Sequence, residues 1–360
     1  MGKHEAGWSD PIQSRLKKLA AGVKARTSTP FQMSIGPKGD EEVVLREVAY
    51  DHIFENELSR TGRDADEIIK LGELNGVELP VKDLFGWLQT ASDEEKNFFY
   101  THVLDVVMFR TFPHIWKQVT EYVAKEIVKG YEEFQSTQTA KADAHVLAHS
   151  LGTAVTEQTL HRMATLRIGG STVLQPPAFR FRSVGMLANV SRILQHGNVY
   201  NSIVRSPQLG GGPDFYVREY LTFRHALDPF TMWKPFNAPT TWDRQYYQQP
   251  DDYGHYLLFN IHDAEHYLIH PATHLNLFNA WWNDRITTRS QILAASTAYR
   301  PAGPTTCEAE MLELHDRLVE IRDQIREGQR TWLAWIKGIV QLGVLVPRLL
   351  ARCPNGGTLP

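Results

Sequence analysis

The sequence predicts an α/β fold, a mostly parallel sheet flanked by helices with a helical appendage at the C-terminus. Three observations carry this. The apolar run H-V-L-A-H, residues 145–149, passes directly into S-L-G-T-A-V-T-E-Q-T-L-H-R-M, a helical pattern, which is how a βαβ unit begins. Three further runs of strand length follow: V-G-M-L-A-N-V at 184–190, F-Y-V-R-E-Y-L-T-F at 215–223 and Y-L-L-F-N-I at 256–261. Beyond Pro304 only helical periodicity remains, so residues 1–300 read as the α/β domain and 301–360 as a C-terminal helical segment.

The remaining elements follow in chain order. Ile12, Leu16, Leu19, Ala20 and Val23 recur at helical spacing behind Ser9-Asp10-Pro11, which predicts a helix over 10–25. The β-branched stretch E-E-V-V-L-R-E-V-A-Y, 41–50, predicts a strand. Residues 55–95 are polar and mixed and suit short helices. A long amphipathic pattern runs from Phe98 to Lys129, with Pro113 placing a break inside it. Residues 306–328 form a charged amphipathic helix pattern, and 332–346 are strongly apolar before Pro347-Arg348. That last run is shorter than the roughly 20 residues that span a bilayer and contains Lys337 and Gln341. A core or interface helix is the first reading, and peripheral membrane contact through 330–350 is the second.

Composition narrows the function classes. With 360 residues, 42% hydrophobic and 22% charged, the chain is long enough for a substantial core. A formal charge of -3 gives no general attraction to polyanions. Lys125, Lys129, Lys141 and Arg162 are scattered, so no nucleic-acid groove is expected. Cys307 and Cys353 lie far apart in sequence and suggest neither a disulfide framework nor a cysteine zinc site, which fits a reducing cytosol. The first ten residues lack the apolar core of a secretory signal. The Gly-rich S-P-Q-L-G-G-G-P, 206–213, lacks the Lys-Ser/Thr ending of a phosphate loop.

The chemistry centres on Ser150. A serine hydroxyl needs a base in hydrogen-bond reach and donors aimed at the developing oxyanion. A strand-to-helix elbow exposes such a hydroxyl and wants small residues two positions either side; here they are Ala148 and Gly152, in A-H-S-L-G. The alternative is a serine that merely caps the following helix. Asp228, in R-H-A-L-D-P-F just past a strand, is placed to serve as the acid, or else is an Asp-Pro turn residue. Further along, N-I-H-D-A-E-H-Y-L-I-H-P-A-T-H offers His262, His266, His270 and His274 as candidate bases. His266 is the first choice and His262 the second. Spacing of four also raises a metal site, but Pro271 interrupts a continuous helix and H-E-x-x-H is absent, so no metal is expected.

Taken together, A-H-S-L-G-T-A, A-N-V-S-R, R-H-A-L-D-P-F and H-D-A-E-H-Y-L-I-H-P resemble the lipase/esterase-like branch of the α/β-hydrolase superfamily over roughly residues 40 to 290. The resemblance implies Ser150 as nucleophile, Asp228 as acid and His266 as base, with no cofactor. Such folds complete the oxyanion hole from a loop after an early strand. M-G-K-H-E-A-G-W-S-D looks like the tail of that loop, without the apolar strand before it. Either Met1 is an internal methionine or a central strand has been lost. The expected oxyanion donors are the amides of Leu151 and Gly2.

His149, Trp242 and Tyr246 are expected to line the substrate site, Trp242 and Tyr246 in an aromatic stretch with Tyr247 and Tyr253 that reads equally as a surface excursion packed on the core. The expected function is a cytosolic serine hydrolase acting on a small-molecule or lipid ester. The alternative is a catalytically silent module of the same fold that docks a partner or membrane through its C-terminal helices.

Overall fold

A computed structural model describes residues 7–23, 35–36, 43–61, 81–137, 143–176, 178–195, 203–204, 215–242, 247–248, 260–282, 286–299, 307–326 and 331–353. Helix α1 spans Asp10–Ala21, with Leu16 and Ala20 on its buried side. The strands β1, Ile35–Gly36, and β2, Val43–Val44, pair in parallel as a separate two-stranded sheet, so the strand expected over 41–50 contracts to two residues. Helices α2, Asp51–Thr61, α3, Val81–Thr90, and α4, Asp93–Phe98, follow. Ser92 and Glu95 start α4 with a reciprocal capping box. A π-helical turn, Phe99–Val103, leads into α5, Leu104–Thr111. Phe112 is extended, and α6, Pro113–Thr137, begins at the proline that cannot donate to the preceding helix.

The sheet then forms. Strand β3, His145–His149, runs into α7, Leu151–Leu166, and β4, Ser183–Leu187, precedes the single turn α8, Ser191–Leu194. Strand β5 is Tyr220–Phe223, preceded by an isolated bridge between Phe181 and Val217, so only the second half of the predicted 215–223 run joins the ladder. The turn α9, Pro229–Met232, and the two-residue strand β6, Tyr247–Gln248, come next. The order is β3-β4-β5-β6, all parallel, with Ala148 opposite Met186 and Leu187 opposite Phe223. Among the described residues β3 is the edge of this sheet. Most of the strand predicted at 256–261 lies outside the described residues; Asn260 and Ile261 are not strand.

Alternation along the strands feeds two cores, as a parallel sheet buried on both faces requires. Val184, Met186 and Tyr220 face Ala124 and Val128 of α6 and Leu160 and Met163 of α7. Leu187, Leu221 and Phe223 face Leu16 and Ala20 of α1 together with two later helices, α10, Ala264–Ile269, and α11, Pro271–Trp281. Gly185 admits α11 closely: a Cβ there would lie 2.6 Å from Leu277 Cδ2.

The chain ends in α12, Arg289–Ala298, α13, Glu308–Arg326, and α14, Trp332–Arg352. Helices α13 and α14 pair as a hairpin that shares one hydrophobic core with α5, α6 and α7. The helix extends beyond the apolar run at 332–346: α14 continues through Pro347, which is exposed. By length and composition alone α14 suffices to cross a membrane, while Trp335, Ile336, Ile339 and Val340 along one side are buried in the shared core. The expectation of unpaired cysteines is corrected. Cys307 precedes α13 and Cys353 follows α14, so folding back of the hairpin brings their Cα atoms to 5.8 Å and they are joined by a disulfide. Disulfides persist in oxidising compartments, so the cysteines no longer argue for a cytosolic location. The described fold is mostly helical, with a small parallel sheet flanked by helices.

Candidate active site

Ser150 stands where β3 meets α7 at φ 54° and ψ −127°, a region that residues with side chains rarely occupy. Its neighbours hold it there. The Ser150 amide donates to Leu187 O at 3.1 Å, and Ser150 O accepts from the Thr153 hydroxyl at 2.6 Å and its amide at 2.9 Å. Thr153 Oγ1 in turn accepts from Val190 N at 3.0 Å, tying the elbow to the end of β4. The Ser150 side chain makes no capping bond to α7, so the bland reading of this serine fails. A Cβ on Gly152 would lie 4.0 Å from that of Ala148 and 3.7 Å from Tyr50 Oη, which leaves room for a methyl group there.

The turn from Asn260 to Asp263 presents His262 just ahead of α10, whose start is fixed by Asp263 Oδ1 accepting from Glu265 N at 2.7 Å. His262 Nε2 lies 2.6 Å from Ser150 Oγ, and Nδ1 lies 2.8 Å from Asp228 Oδ2. A carboxylate only accepts, so Nδ1 carries the proton and the Nε2 lone pair faces the serine hydroxyl. Asp228 is fully buried and does two jobs: Oδ1 accepts from Phe230 N at 2.9 Å and starts α9, while Oδ2 takes the imidazole. Burial opposes its charge, but His262, the Tyr267 hydroxyl and the Phe230 amide together hold its carboxyl below the usual range. The Phe230 ring stacks on His262 with centroids 3.8 Å apart.

This geometry corrects the choice of His266. Because Asp263 caps α10, His266 falls inside that helix, where it is buried, donates from Nδ1 to Ile261 O at 3.2 Å and packs 5.4 Å from the His225 ring. Burial pushes it down to about 3, so it stays neutral. His262, on the loop before the cap, has the reach. His270 Nδ1 caps α11 by accepting from Ala272 N, and His274 Nδ1 donates to Leu268 O. Among the described residues no group of histidines, cysteines or carboxylates is arranged to hold a metal.

The other expected residues divide. His149 borders the site, its Nε2 donating at 2.6 Å to the backbone oxygen of His262; burial drives its pKa down to about 3, which leaves it a neutral brace for the histidine loop. The Leu151 amide opens α7, where helix geometry supplies no intrahelical acceptor, so it is available to an oxyanion. Trp242 is corrected as a substrate-lining residue: its indole is buried in the sheet-side core, edge-on to Tyr220 at 5.0 Å and beside Phe236 at 6.1 Å. Gly2 and Tyr246 lie outside the described residues. Sequence reasoning missed Phe230, Tyr267 and Thr153. The D-A-E pattern after His262, an N-cap followed by an acidic first turn, was the signal that separates the two histidines.

Comparison of the chain with protein-family models, with curated proteins and with solved structures gives no match.

Proposed function

We propose that this chain is a serine hydrolase that cleaves a carboxylic ester through an acyl-enzyme. The observation that carries the reading is the continuous chain from Ser150 Oγ through both nitrogens of His262 to Asp228 Oδ2, anchored on a backbone held at positive φ. In the proposed mechanism Ser150 Oγ attacks the ester carbonyl while His262 Nε2 takes its proton. The Leu151 amide steadies the oxyanion, and collapse of the tetrahedral intermediate expels the alcohol, which takes that proton. Water then repeats the steps in reverse and frees the acid. Asp228 keeps the imidazole in the required tautomer and stabilises it once charged. The flat Phe230 ring against His262 forms an apolar flank, which suits a small-molecule or lipid ester with an apolar group.

The test is hydrolysis of p-nitrophenyl butyrate. Wild-type protein should turn over, and S150A and H262A should each lose about 1,000-fold or more in kcat. A folded wild-type chain that is inert towards a panel of acyl chain lengths would instead support the silent docking module.

A further inference from the structure

The six residues from His262 to Tyr267 reach Asp228 twice. His262 Nδ1 is 2.8 Å from Oδ2, and the Tyr267 hydroxyl donates to that same oxygen at 2.6 Å. The direction of the hydroxyl proton is fixed by a second contact. Tyr267 Oη accepts from His225 N at 3.2 Å, and a phenol with one proton that accepts there has its O–H free for the carboxylate. Residues 225–228 themselves close as a turn, Asp228 N donating to His225 O at 3.1 Å. One hydroxyl therefore spans both ends of the acid-bearing turn. The Tyr267 ring is fully buried among Phe223, Leu268 and Leu277, so the hydroxyl has no latitude to swing away.

The geometry points to Tyr267 as a positioning residue that fixes Asp228 Oδ2 for His262, an assignment that rests on the hydrolase reading above. The hydrogen bond from Tyr267 also shares the carboxylate charge with the imidazole, and its loss raises the proton affinity of Asp228. A residue that served packing alone would not act through that oxygen.

The experiment compares wild type, Y267F, D228N and the double variant Y267F/D228N with p-nitrophenyl butyrate across pH, with folding checked by circular dichroism. Y267F keeps the ring and removes the hydroxyl. The expected result is a fall in kcat of about 10- to 100-fold with KM within about 2-fold, and an acid limb of kcat/KM moved to higher pH. In the D228N background the same substitution should have no further effect, because the oxygen through which Tyr267 acts is already altered. Should Y267F not fold, Y267M, which fills the space without a hydroxyl, takes its place. A second readout needs no turnover: the NMR resonance of the His262 Nδ1 proton, assigned by its loss in H262Q, should shift in Y267F. A wild-type kcat, an unmoved pH profile, full additivity with D228N or an unchanged His262 resonance would each overturn the assignment. Loss of hydrolysis in wild type with a shifted resonance in Y267F would reject the hydrolase reading and leave the positioning role standing.

Discussion

A serine at φ 54° and ψ −127° costs roughly 1–3 kcal/mol relative to a relaxed backbone, and glycine at the same place does not carry that cost. S150G should therefore melt at a higher temperature than S150A by the equivalent of about 1 kcal/mol, while both are inert. Equal melting temperatures would show that the elbow stores no strain. A second residue works in the opposite sense. Glu157 on α7 is buried beside Ser191, and burial pushes its carboxyl up to about 8, with Ser191 and Arg192 offsetting part of the shift. The folded chain thus keeps a proton that the unfolded chain releases near 4.5. Stability from this group is full below about 4.5, is lost progressively as the pH rises to about 8, and changes no further above. E157Q should accordingly raise the melting temperature at pH 8 and change it little at pH 4.5. A pH-independent difference would contradict the buried, protonated carboxyl.

At the scale of elements, the strand-to-helix junction was plain in the sequence because H-V-L-A-H and the pattern after Ser150 change period within one residue. The break at Pro113 was equally plain, since proline cannot donate to the preceding helix. Legibility failed where the deciding contact is tertiary. Tyr216 and Val217 are apolar like a strand, yet their amides bond to Ile203 O, so β5 begins only at Tyr220. The choice between His262 and His266 turned on where α10 starts, and one capping aspartate moves the whole assignment by a helical turn. Packing of elements gives a further prediction. G185A would force a methyl group within 2.6 Å of Leu277 Cδ2 and should destabilise by about 1–3 kcal/mol in chemical denaturation. Wild-type stability in G185A would show that β4 and α11 do not approach this closely.

For the molecule as a whole, the C-terminal hairpin is joined to the candidate site. Trp335 Nε1 donates to Pro229 O at 3.0 Å, one residue past Asp228, and Trp335 meets Phe230 edge-on at 6.4 Å. That continuity was illegible in the sequence, where the helical periodicity beyond Pro304 reads as an appendage. The disulfide closes 46 residues of chain, for which the loop-entropy estimate is about 4 kcal/mol. C307S/C353S should lose stability on that order, and thiol titration of the unfolded, unreduced protein should find no free thiol. Two titratable thiols per chain would remove the crosslink.

Whether Ser150 is the nucleophile and His262 its base is decided by reaction with a fluorophosphonate and mass mapping of the adduct. One adduct per chain is expected, on Ser150, absent in S150A, formed far more slowly in H262A and at close to the wild-type rate in a folded H266A. An adduct on another residue, or equal labelling of H262A and wild type, would contradict it.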